Sequence, residues 1–247
     1  MALSETLIIA MAFLAAAALY ASVGHAGASA YLAVMGLFSF APTVMKPTAL
    51  ALNILVAIVA TARFYRAGLF SWSLFWPFAV TSVPAAFLGG STMLPARWYK
   101  MVVGAVLLYA AVWMFRSALK PLTSETRSPP LWAALLAGAV LGFLAGLTGV
   151  GGGIFLSPLL LYMGWADTRS TSGVAAPFIL VNSISGLLGH FSSLAQVPPN
   201  IPVWAVAVLI GGWLGATYGS KRAPAPVLRQ LLSLVLLIAG VKLVLAS

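Results

Sequence analysis

Leu147 to Pro158 reads L-T-G-V-G-G-G-I-F-L-S-P, with glycines at Gly149, Gly151, Gly152 and Gly153. Glycine accepts φ > 0, so a helix can break here. The stretch sits inside an apolar run over residues 131–163. Backbone N–H and C=O groups freed within a bilayer are tolerated only where protein buries them or a wet cavity receives them. Half-helix N-termini at such a break point their N–H groups at an anion. The chemistry implied is recognition of an oxyanion at membrane depth. Close helix packing is the other use of such small residues.

The first half carries a related stretch, S-V-G-H-A-G-A-S over Ser22 to Ser29. Gly24 and Gly27 repeat the break, and His25 adds an ionisable ring at apparent membrane depth. An imidazole titrates near neutral pH and can carry a coupling proton; the alternative is a neutral, hydrogen-bonded core histidine. Lys46 and Arg169 occupy matching connectors and can pair with substrate charge, or act as loop cations against lipid. Thr48, Thr171 and Ser172 read as helix N-caps that can also donate to an oxyanion. Asn53 and Asn182 are amides in apolar helices, either interhelical glue or substrate contacts. Asp167 reads as a cap or a partner to Arg169. His190, near an expected helix end, suits an interfacial position.

Other chemistries lack their residues. There is no cysteine, which excludes disulfides, iron–sulfur clusters and thiol catalysis. Glu5, Glu125 and Asp167 all fall at helix ends or in loops. Proton coupling would therefore use His25, use the substrate's own protonation, or not occur. No G-x-S-x-G or H-E-x-x-H is present. Two histidines could ligate haem, and Ser185 precedes His190, so a haem-handling or hydrolytic intramembrane protein is a minor alternative. The expectation is no enzyme, no cofactor and no metal.

The elements that hold these residues are membrane helices. Of 247 residues, 62% are hydrophobic and 6% charged, with mean hydropathy +1.06; a soluble domain would carry about 25% charged residues. The excess of 13 Lys+Arg over 3 Asp+Glu lies scattered in short loops. It speaks for topology and lipid head groups, not nucleic acid. The first residues lack a basic n-region and read as a retained membrane segment.

The expected class is an all-α polytopic membrane protein of two inverted repeats. The first repeat is 1–119, a polar linker is 120–130, and the second repeat is 131–247. Each repeat has four long segments, and its first run is split into a helical hairpin or two short helices, for 8–10 segments in total. In half one the split run covers 5–40 and the spans are 48–65, 71–92 and 101–119. In half two the split run covers 131–163 and the spans are 171–192, 201–219 and 227–245. The repeat aligns Ser22–Gly27 with Thr148–Gly153, and Lys46/Thr48 with Arg169/Thr171. With five segments per half, one side collects Arg63, Arg66, Arg116, Lys120, Arg127, Arg169, Lys221, Arg222 and Arg229. The other receives Lys46, Arg97, Lys100 and Lys242. The positive-inside rule then puts both termini outside, and an odd count per half inverts the repeats.

The order G-F-L-A-G-L-T-G-V-G-G-G-I-F-L-S-P-L-L-L, then R-S-T-S, then V-N-S-I-S-G-L-L-G-H, resembles the TauE/SafE sulfite exporter family, also called the toluene sulfonate uptake permease family. Gly149–Gly153 with Pro158 is the strongest mark. His25 and Ala26 stand where the family usually has glycines. The resemblance implies a secondary transporter of sulfite, a sulfonate or a related organosulfur anion, driven by an ion or proton gradient. It implies a multi-pass protein of the bacterial inner membrane. Its partners are the small anion and membrane lipid, and a homo-oligomer is compatible. A passive anion channel is the main alternative.

Overall fold

The computed structural model describes residues 3–119, 126–221 and 226–245. Ten α-helices run in order: α1 (Leu3–Ala21), α2 (Ala28–Leu37), α3 (Pro42–Arg66), α4 (Trp72–Ser91), α5 (Ala96–Leu119), α6 (Leu131–Thr148), α7 (Gly153–Tyr162), α8 (Thr168–Gly189), α9 (Ile201–Lys221) and α10 (Pro226–Leu245). A short 3-10 turn, Phe191–Gln196, follows α8. No strand occurs among the described residues. Six helices, α1, α3, α4, α6, α8 and α9, are long and apolar enough to cross a membrane. The protein is a multi-pass integral membrane protein.

Several helices start earlier than hydropathy suggests. α3 opens at Pro42, not at residue 48, so Lys46 and Pro47 lie inside it. Proline is pre-organised for a first helical turn, and Pro47 gives up only one bond near that turn. α8 opens at Thr168 because Asp167 is its N-cap, accepting from Ser170 N at 2.7 Å. Thr48, Thr171 and Ser172 are therefore helix-interior residues and not caps. α5 likewise takes in Arg97 and Lys100.

Both split runs are helical hairpins. Ser29 Oγ donates to Tyr20 Oη at 2.8 Å, and the rings of Tyr31 and Phe13 lie 4.9 Å apart. Farther down, Phe40 meets Trp204, whose indole donates to Thr6 O. α2 thus retraces α1. In the second half Arg127 N, just ahead of α6, donates to Gly164 O, just beyond α7, at 2.9 Å. α2 and α7 have 10 residues each, about 15 Å of helix. That is half of a hydrocarbon core about 30 Å thick, so neither is long enough to cross it alone.

Glycine faces lock the hairpins to the opposite half. Gly138, Gly142 and Gly146 of α6 sit directly on backbone carbonyls of Phe78, Ser82 and Ala86 in α4. Gly211, Gly215 and Gly219 of α9 sit on carbonyls of Leu14, Ala18 and Ser22 in or just beyond α1. A spacing of four keeps each trio on one helix face, and a Cβ at any of the six would overlap the partner backbone. Such close approach is how membrane helices associate when lipid removes the hydrophobic drive. Numbers rise together in both pairs, so α6 runs parallel to α4 and α1 parallel to α9. By contrast α3 and α8 run in opposite directions: Leu50 meets Gly186, Asn53 meets Ser183, and Leu69 meets Gly173.

Candidate functional site: two helix breaks on one asparagine

The first break is Ser22–Gly27, between α1 and α2; the second is Gly149–Gly152, between α6 and α7. Gly24 (φ +77°) and Gly27 (φ +97°) match Gly149 (φ +83°) and Gly152 (φ +85°). Each pair is separated by two residues, and each helix restarts at the next position. Matched by these φ values, Gly24 answers Gly149, and His25 and Ala26 answer Val150 and Gly151, one residue away from the sequence alignment. Gly151 is itself at φ +79°, so the second break turns at one more residue than the first.

The breaks meet at Asn53, eleven residues into α3 and about 16 Å along it. Its Oδ1 accepts from Ala28 N, at the start of α2, at 3.1 Å. Its Nδ2 donates to Ser183 Oγ of α8 at 2.9 Å and approaches Val150 O at 3.4 Å. One buried amide therefore ties both breaks and α8 together. His25 makes the second link. Its Nε2 lies 3.1 Å from Gly153 O and 3.2 Å from Ser157 Oγ. A carbonyl only accepts, so the Gly153 contact requires a proton on Nε2. Nδ1 lies 3.2 Å from Val23 O, and Ser172 Oγ donates to the same carbonyl at 2.9 Å. His25 is half-buried, whereas Gly149, Gly151, Gly152 and Gly153 are buried.

The remaining expected residues divide. Asn182 donates to Phe178 O at 2.8 Å, one turn back in its own helix, and its Oδ1 is buried without a partner. Thr48 Oγ1 and Thr171 Oγ1 are also buried without partners. Arg169 is exposed in the first turn of α8, while Lys46 is buried at 3% exposure. The two are not equivalent: Gly149 packs on Lys46, and Gly24 packs on Ser172, each the fifth residue of its helix. His190 is the C-cap of α8 and is buried in protein. It is 6% exposed beside Lys46 and the Gly90 carbonyl. Burial and the Lys46 ammonium hold its imidazole below the ordinary value, against a smaller upward pull from Gly90.

Ser157 and Ser183 join the site although their sequence context does not single them out. Ser183 had a readable signal: Ile179, Ser183 and Gly186 share one face of α8 by their four-then-three spacing, the face turned to α3. Ser157 had none, because a serine one turn into a half-helix looks like any small packing residue.

The geometry gathers hydrogen-bond donors. The first N–H groups of α2 and α7 lack intrahelical acceptors, carry the positive ends of two helix dipoles, and converge among neutral amide and hydroxyl groups. Among the described residues no group of three or more potential metal ligands occurs.

Comparison with known proteins agrees with this architecture. A family described as Sulfite exporter TauE/SafE matches residues 8–243. A "Probable membrane transporter protein y4hK" of Sinorhizobium fredii is 44% identical over 243 residues, 97% of this chain and 98% of that protein. A "Probable membrane transporter protein MJ0441" of Methanocaldococcus jannaschii is 29% identical over 150 residues, 57% of this chain and 55% of that protein. No solved structure matches. With the family pattern running through both hairpins and all the spans between them, the chain belongs to the sulfite exporter TauE/SafE family.

Proposed function

We propose that the protein is a secondary transporter that moves a small sulfur-containing anion across the bacterial inner membrane by alternating access. The observation that carries this reading is the convergence of two half-helix N-termini on Asn53. A site held by elements of both halves changes its exposure when the halves rock against each other. The family name and the transporter names of its relatives support the sulfur anion and the transport role. The opposed directions of α3 and α8 support inverted halves. Inverted halves would put Lys46, Arg97, Lys100 and Lys242 on one side of the membrane and the more basic set on the other. Both termini then lie outside.

Purified protein in liposomes tests this directly. Uptake of labelled sulfite, thiosulfate, sulfoacetate or taurine is expected to saturate, and at least one of them should raise the melting temperature in proportion to occupancy. Flux that rises linearly with concentration and ignores ion gradients would make the protein a channel. No flux with any of these anions would remove the sulfur assignment.

His25 supplies the proposed proton coupling, because it bridges the two breaks and is half-exposed. Glutamine keeps a donor near the Nε2 position but does not titrate. His25→Gln is therefore expected to retain anion exchange at equal pH and to lose accumulation driven by a pH gradient. Undiminished pH-driven accumulation in that variant would move the proton to the substrate itself.

A further inference from the structure

We propose that Lys46 and His190 form an anion-binding station between the outer face and the central breaks, taking a small oxyanion such as sulfite or sulfate. The proposal rests on the transport reading and adds a second, off-centre stop to it.

The Lys46 ammonium is buried within α3, where a charge is costly unless it is paired. Its donors reach Gly90 O at 2.9 Å, Gly89 O at 3.3 Å and Thr92 O at 3.4 Å. One of these distances is good and two are long for N–H···O. The carbonyls at the end of α4 supply partial negative charge, and among the described residues no carboxylate approaches the ammonium. His190 leans on the same Gly90 carbonyl, yet neither of its buried ring nitrogens forms a hydrogen bond of good length and angle. Leaving a buried polar group unsatisfied costs about 1–3 kcal/mol. An ammonium with one short contact and a poorly paired imidazole thus sit around one carbonyl. An oxyanion accepts from both at once.

The station is connected to the site. Gly149 rests on Lys46, with a Cβ there falling 3.3 Å from Lys46 Cα, Cγ and O. An anion that draws the ammonium away from α4 would be felt at the first turn of the second break. The corresponding residue of the other half is Ser172, so no charged counterpart faces the first break. Lys46 could instead serve only as a C-terminal cap of α4. That role would need nothing from His190.

The experiment compares wild type, His190→Gln, Lys46→Gln and Lys46→Arg, full-length and purified. Melting is followed against sulfite, sulfate and chloride, and uptake is measured from each side of oriented liposomes. His190→Gln leaves the α4 cap intact, so it tests the station even if Lys46→Gln fails to fold. The expected result is about a tenfold rise in the sulfite concentration giving half the thermal shift, about 1.4 kcal/mol. A like rise in half-saturation should appear for uptake from the outer side. Anion titrations of His190→Gln that overlay those of wild type would overturn the proposal, as would a wild type whose melting ignores all three anions. If wild type binds through these residues but moves no anion, the station stands and the transport reading falls. If wild type transports and His190→Gln matches it, the reverse holds.

Discussion

Replacing Gly151 with alanine is expected to lower saturable anion uptake at least tenfold. The residue sits at φ +79°, where a Cβ costs about 1–2 kcal/mol. The new methyl would overlap Asn53 Nδ2 and lie 2.8 Å from Ser183 Oγ. Either Asn53 moves, releasing Ala28 N and Val150 O, or the break straightens. Together these costs reach the 1.4 kcal/mol that corresponds to one decade, with more to follow if Asn53 is displaced. Gly68→Ala is the control for backbone strain alone. Gly68 has φ +70°, and a methyl there would meet nothing within 4 Å, so its variant should transport at close to the wild-type rate. Comparable uptake by Gly151→Ala and wild type would mean that the second break does not face the substrate.

Asn53→Leu should have the largest effect on both stability and transport. Leucine has similar bulk but no polar atom. The change leaves Ala28 N and Ser183 Oγ without the partners they have at 3.1 and 2.9 Å, and it removes the link to Val150 O. At about 1–3 kcal/mol for each buried group left unsatisfied, the loss is several kcal/mol where no water can substitute. The melting temperature is expected to fall and uptake to disappear. Asn53→Asp separates the two consequences. Its carboxylate still accepts from Ala28 N, so more of the fold survives. A negative charge at the meeting point of two helix N-termini competes with the anion, and half-saturation should rise steeply. If Asn53→Asp binds sulfite as wild type does, the anion does not visit this asparagine.

How much of this was readable beforehand follows from the range of each interaction. Gly149–Gly153 stood out because four glycines in an apolar run have a local consequence, a helix break, that needs no partner to be deduced. The hairpin form of the split runs was legible for a related reason, since thirty-odd apolar residues overfill one span of about 20. Which glycines turn was not, and matching the turns by φ shifts the two breaks by one residue from the sequence alignment. Only φ distinguishes Gly24 and Gly149 from their neighbours. Lys46 and Arg169 looked alike in their connectors. Their difference is decided by α4, whose C-terminus lies over Lys46, and no feature near residue 46 announces that. The burial of His190 was hidden for the same reason: the end of α8 is a boundary along the chain but is covered by protein in space. Ser183 and Ser157 matter through contacts 130 and 132 residues distant in sequence. Such contacts cannot be read from local pattern.

The parallel pairing of α1 with α9 also bears on how the protein is made. α1 is synthesised first, and its carbonyl-lined groove at Leu14, Ala18 and Ser22 is shaped for Gly211, Gly215 and Gly219. At roughly 5–20 residues per second, those glycines emerge on the order of 10 s later. Until then the glycine-facing side of α1 waits without its partner, although α2 already packs on another side. A chain interrupted before α9 would leave that groove open in the bilayer. It would offer membrane proteases a structural difference between finished and unfinished protein that lies at the opposite end of the chain from the missing segment.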